Sequence, residues 1–238
     1  MSRETWVPIA ILIVVGLLVG GAWSWISREN EAQRETEREE RAREREAHRV
    51  EEMRTESSVL LGDVLPGVEL GTDLDAVHVV RPAVTHSDSR VDSGFELYDE
   101  RLANGAQAIY AFNARSRLLE RVQVLSSLEG IQGIAPHLAA MRDRYGTPTG
   151  IWDCTDEGGI RTRRFTWRGS HLGLADVVLL YGSRVSLTLY VTTNEQMARS
   201  LQRAGCVPTP PDQIDHFPTA AAAQIERARA EDEGVRPR

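Results

Sequence analysis

An uncharged run from Trp6 to Ile26, followed at once by a block of arginine and glutamate from Arg28 to Glu56, constrains this chain more than any other feature. About 20 residues at roughly 1.5 Å rise each match the ~30 Å hydrocarbon layer of a bilayer. No charge falls between Glu4 and Arg28, so the run predicts a transmembrane anchor over residues 1–27. Trp6 at one end and Trp23 and Trp25 at the other suit the headgroup level as interface anchors, and Pro8 falls in the first helical turn, where its missing N–H costs nothing. A cleaved secretory signal competes, with Ala22 and Ser24 as the small residues before a cut. The run is long for a signal's apolar core, and only Arg3 precedes it as a basic side chain. An uncleaved anchor is the expectation.

Two rules disagree on orientation. Arg3 stands on one side of the span and Arg28, Arg34, Arg38, Arg41, Arg43 and Arg45 on the other, which taken alone keeps the large domain in the cytoplasm. Glutamates are interleaved with those arginines, however, and long domains translocate largely regardless of charge. A short N-terminal segment before an apolar run is the ordinary form of an export signal left in place. The expected location is a single-pass membrane protein with the bulk of the chain exported, periplasmic or extracytoplasmic.

Residues 28–58 are almost entirely Glu, Arg, Ala and Gln, with no Gly or Pro, and predict a charged helical stalk reaching about 45 Å. Glu37 with Arg41 and Glu39 with Arg43 are four apart in the favourable order; Glu31 with Arg34 and Glu46 with Arg49 are three apart. Ala32, Ala42, Ala47, Val50 and Met53 do not form a sustained heptad seam, which favours a single charged helix over a coiled coil. The net charge of −7 and the local glutamates argue against nucleic acid as a partner.

The segment 59–206 is long enough for one domain with a hydrophobic interior. Thr72 or Asp73 caps a helix through Val80, stopped by Pro82. Apolar alternations follow over Phe95–Ala103, Ala106–Phe112 and Leu118–Leu125, with an Asn104-Gly105 hairpin signal between the first two. A second helix starts near Pro136, carries Leu138, Met141 and Tyr145 on one face, and ends at Gly146. Strands are expected at Ile160–Arg168, His171–Tyr181 and Arg184–Thr192. In the last of these Val185, Leu187, Leu189 and Val191 form a buried face and Arg184, Ser186, Thr188 and Tyr190 a wet one. A final helix begins at a Thr193 cap with Gln196 closing a capping box. The expected fold class is α+β: an N-terminal transmembrane helix, a charged stalk, and a duplicated helix plus antiparallel β-meander domain, with repeats about 71–126 and 134–206. A Pro/Ala-rich tail occupies 207–238.

Gly71-Thr72-Asp73-Leu74-Asp75-Ala76-Val77 and Tyr145-Gly146-Thr147-Pro148 resemble the two ends of the short helical segment in SmpA/OmlA-type envelope modules. In that family a glycine opens the helix and a Gly-x-Pro closes it before a β-meander. Here the two pieces lie in different repeats, Ala76 replaces the acidic residue before the valine, and the lipidated cysteine is absent. The resemblance implies an envelope scaffold or interaction module without catalysis.

Every one of the 28 basic residues is arginine. Without lysine there is no Walker A phosphate loop, Schiff-base chemistry or Ser-Lys dyad. No GxSxG, HExxH or EF-hand spacing occurs, and the histidines are scattered, so no catalytic, cofactor-binding or metal residue is nominated. Asp73 and Asp75 read as helix-capping and dipole partners rather than an acid pair. Asp153, Asp156 and Glu157 are an ordinary acidic turn. Cys154 and Cys206 pair as a disulfide in an oxidising compartment, or stay two buried thiols in a cytosolic one. Arg161, Arg163, Arg164 and Arg168, with Trp152 nearby, form the candidate binding patch for an anionic peptide, glycan or headgroup. The alternative is an edge strand protected by charge, with Phe165 and Trp167 in the core.

The functional expectation is a membrane-anchored binding or scaffold module whose partner is another envelope protein or surface component. Two rivals stand beside it: a carboxylate-dependent hydrolase or glycan-acting enzyme with a cleft between the repeats, and a cytosol-facing tethered adaptor. Oligomeric state is open.

Overall fold

The computed structural model describes residues 6–87, 94–128, 130–155, 161–181 and 184–210, with side chains described from residue 33 and excepting 180, 181 and 184. The interface tryptophans Trp6, Trp23 and Trp25 therefore lie outside the described side chains, as do Asp156, Glu157 and the tail beyond 210. Among the described residues no helix is long and apolar enough to cross a membrane. The chain divides into two compact units, 1–49 and 50–238.

Helix α1 (Trp6–Leu61) occupies the first unit and ends in the second. From 33 to 49 every side chain is exposed. The expected i,i+4 pairs form, Glu37 with Arg41 at 3.1 Å and Glu39 with Arg43 at 3.7 Å, and Glu46 meets Arg49 at 2.6 Å. Arg49 donates twice to Glu46 and holds its carboxyl below the usual range. Solvated pairs of this kind each contribute only about 0.3–0.5 kcal/mol.

The second unit begins at Val50, so the last turns of α1 pack into the globular domain. Met53, Ser57 and Leu61 recur every fourth residue on one buried face. Ser57 accepts the Leu70 N–H at 2.8 Å, which draws the following loop against the helix. Helix α2 (Leu74–Val80) starts where Asp73 accepts the Ala76 N–H at 2.8 Å. Strands β1 (Thr85–His86), β2 (Phe95–Arg101), β3 (Gln107–Asn113) and β4 (Leu119–Leu128) follow. The turn between β2 and β3 takes three residues rather than two. Gly105 N–H donates to Leu102 and Leu102 N–H to Ala106, with Gly105 at φ +82°, a left-handed conformation that favours glycine.

Helix α3 (Ile134–Tyr145) leads into β5 (Gly150–Thr155), β6 (Arg161–Arg168), β7 (Leu172–Tyr181) and β8 (Arg184–Thr193); α4 (Asn194–Arg203) and β9 (Val207–Pro208) close the described chain. The nine strands make one antiparallel sheet in the order β1-β2-β3-β4-β8-β7-β6-β5-β9. The two meanders thus meet through their last long strands, β4 and β8, in register from Arg121↔Thr192 to Leu128↔Val185. The architecture is α+β.

Alternation along the strands sorts side chains to two faces. One carries Tyr110, Phe112, Val122, Leu174, Val185 and Trp167 into the main core, against Leu61, Val77, Ile134 and Met141 of the first three helices. On the other, α4 lays Met197 and Leu201 over Ala175, with Trp152, Val177 and Tyr190 packed around them. The Tyr190 side of β8 is therefore partly covered, not uniformly wet, because α4 folds back over it. Two further expectations change. β6 is an interior strand between β5 and β7 rather than an edge, and Asp153, read from sequence as part of an acidic turn, lies in β5, a strand the sequence reading did not assign.

Candidate functional site

A groove of about 470 Å³ runs between the end of α1 and the β6–β7 turn. Of the α1 carboxylates along it, Glu51, Glu52 and Glu56, the last two are four residues apart and share a helix face. Glu56 Oε2 accepts the backbone N–H groups of His171 at 3.0 Å and Leu172 at 3.2 Å. Glu52 Oε2 lies 2.7 Å from His171 Nε2. A Cβ on Gly169 would overlap Glu56 Oε1, so a larger residue there displaces the carboxylate from the turn. Val59 lines the same groove with 73% of its surface exposed. Beside it the Leu60 carbonyl accepts the Tyr145 hydroxyl at 2.9 Å, and burial pushes the Tyr145 phenol up.

A smaller groove of about 220 Å³ lies between the start of α2 and β2 and β3. Its base is Tyr98 edge-on to Phe112, ring centroids 5.4 Å apart. Asp73 on its rim is already the α2 cap, as expected, and Glu96 is paired with Arg117. Across the two grooves Asp73, Glu96, Glu51, Glu52 and Glu56 are engaged in capping, turn or ion-pair contacts.

Two buried carboxylates outside the grooves are paired internally. Glu100, 7% exposed, accepts from Arg81 Nε at 2.7 Å and from the Tyr110 hydroxyl at 2.5 Å. Burial, then the bond to Glu100, pushes the Tyr110 phenol far above its usual range, and the same carboxylate raises Arg81. Under α3, Asp176 meets His137 Nε2 at 2.9 Å. Among the described residues no three His, Cys, Asp or Glu side chains converge as a metal site.

Cys154 and Cys206 are joined by a disulfide. The arginine strand does not form one surface. Arg163 faces the main core and is gripped by Asp153, Nε to Oδ1 at 2.7 Å and Nη2 to Oδ2 at 2.9 Å. Arg164 points to the α4 side and donates to Ser200 Oγ at 3.0 Å, and burial lowers its pKa. Trp152 lies across from Arg164 and donates to Thr166 Oγ1 at 3.2 Å. Arg161 and Arg168 are exposed at opposite ends of the strand. The alternation of a β-strand separates what adjacency in sequence had grouped. Sequence reading missed the Glu52–Glu56–His171 groove because those glutamates sit in a charged helix that reads as solvated throughout. The i,i+4 carboxylates just before Val59 and Leu60 were the available signal.

No protein-family profile and no curated protein matches this chain.

Proposed function

We propose that this is a single-pass membrane protein whose exported α+β domain is a binding or scaffold module of the cell envelope, related in kind to SmpA/OmlA-type modules. The observation that carries the binding role is the open groove in which Val59, 73% exposed, stands among carboxylates already tied to the fold. An exposed apolar side chain in a rigid acidic frame suits recognition of a polypeptide with apolar and basic groups. The Cys154–Cys206 disulfide supports export, because such bonds persist in oxidising compartments. The Trp6–Ile26 run supports the anchor and the exposed charged helix supports the stalk. Duplication is supported by the element order, in which each half runs helix, then meander from the sheet edge inward.

A photocrosslinker attached at Thr55→Cys in native membranes tests the binding role. A discrete crosslinked envelope component is expected, suppressed by Val59→Asp in the same chain. No adduct, or one indifferent to Val59→Asp, refutes the groove. Location is read separately, by labelling the reduced native cysteines with an impermeant reagent. Labelling in intact cells is expected, and labelling only after lysis puts the domain in the cytosol.

A further inference from the structure

Three arginines drawn into the domain each meet a carboxylate: Arg81 meets Glu100, Arg144 meets Asp63 and Arg163 meets Asp153. Arg164 has no such partner. It is half-buried on the α4 side of β6, and among the described residues its one hydrogen bond runs from Nη1 to the neutral Ser200 Oγ at 3.0 Å. Its Nε is sealed from water with no acceptor, whereas Nη2 has no protein partner and is open to solvent. Burial lowers its pKa with no carboxylate opposing the shift. A guanidinium that has lost water and gained no counter-charge is costly to keep. An anion at the open end offsets that cost, because the charge is delocalised over the whole group.

The neighbouring strands shape what such an anion carries. Trp152 on β5 and Val177 on β7 are the register partners of Arg164, so the three side chains project from the same face. Both flanking side chains are half-buried and belong, with Tyr190, to the small cluster beneath α4. The indole N–H of Trp152 donates to Thr166 Oγ1, which fixes the ring beside the guanidinium. Ser200, in accepting from Nη1, orients the fork and has its own hydroxyl proton left to donate. One positive charge between apolar walls balances one negative charge. A planar, monoanionic carboxylate fits the Nη1–Nη2 end. A phosphate dianion brings a second charge, and among the described residues no other cation acts on Arg164 to meet it.

We propose that Arg164, Ser200 and Trp152 form a binding site for a carboxylate, separate from the groove beside α1. Of the arginines that adjacency in sequence groups together, the site keeps Arg164 and drops Arg163, whose charge Asp153 already meets. The carboxylate belongs either to a small organic acid or to an acidic residue of a polypeptide, two sources with the same recognition chemistry.

The test uses the full chain in mild detergent, labelled with nitrogen-15 at arginine and tryptophan, and follows the Arg164 Nε–H by magnetic resonance. Sealing from water slows the exchange of this proton and keeps it observable; Arg164→Lys assigns the signal by removing it. The chain is titrated at constant ionic strength with acetate, with a short acetylated peptide of aspartates, and with inorganic phosphate. A saturable shift of Arg164 with both carboxylates is expected while Arg163, held by Asp153, stays still. Peptide binding roughly tenfold tighter than acetate identifies a polypeptide source, and equal binding identifies a small acid. Arg164→Lys, which keeps the charge and loses the fork, is expected to weaken acetate binding roughly tenfold at the Trp152 indole signal. No saturable shift with either carboxylate, an equal response to chloride, or tighter binding of phosphate than of acetate would each overturn the proposal, and all three are read on the unmutated chain.

Discussion

Glu56 joins two distant parts of the chain through a single carboxylate. Its Oε2 accepts two main-chain donors of the β6–β7 turn, and Gly169 leaves the space its other oxygen occupies. Hydrogen bonds to a charged acceptor each contribute about 1.5–3 kcal/mol. Gly169→Ala displaces a flexible carboxylate rather than backbone, so its cost is the loss of those two bonds, about 3 kcal/mol in urea unfolding. Glu56→Ala should cost about as much, and the double variant little more than either alone, because both remove the same contact. Full additivity would refute the linkage. Tyr110 contributes to the alkaline limb of stability. Its folded pKa is raised, so the folded state keeps a proton that the unfolded chain releases above about pH 10. The contribution is complete below that pH and is lost as pH rises, at up to about 1.4 kcal/mol per unit. Tyr110→Phe should flatten the fall of the urea midpoint between about pH 10 and 11; an unchanged slope would assign it elsewhere.

At the scale of elements, α1 is one helix in two different environments. Residues 33–49 are exposed and held by local ion pairs, whereas Met53, Ser57 and Leu61 are buried in the domain. Met53→Ala is therefore expected to lower stability by about 2–4 kcal/mol, while Glu37→Ala changes it by less than about 0.5 kcal/mol. Comparable effects in chemical denaturation would mean that α1 contributes no core residue. The α4 start shows how far a local motif reaches. Thr193 caps the helix by accepting the Gln196 N–H, as its sequence suggests. The Gln196 side chain does not return to close the box. It accepts from Thr192 Oγ1 at 2.9 Å and donates to Glu120 at 2.7 Å, because β4 lies alongside. Helix ends and most strands were legible, since capping and period-two alternation are local. β5 was not: Gly150-Ile151-Trp152-Asp153-Cys154-Thr155 has no clean alternation, and its pairing depends on β6 and on a segment more than fifty residues later.

For the whole molecule, the disulfide closes a loop of 52 residues. In the chain-entropy model such a loop stabilises a fold by about 4 kcal/mol. The reduced chain should therefore keep one cooperative urea transition at a lower midpoint, and an unmoved midpoint would refute that contribution. What the sequence by itself determined is what depends on neighbours within a few residues: the apolar run and charged helix, the helix caps, and an α+β alternation of helices and strands. Only the tertiary structure decided which faces meet. It set β4 against β8, split the arginines of β6 between two faces, drew the last turns of α1 into the core, and created the Glu52–Glu56–His171 groove. Contacts between residues more than a hundred positions apart leave no local periodicity to read, because they are selected by the packing of completed elements.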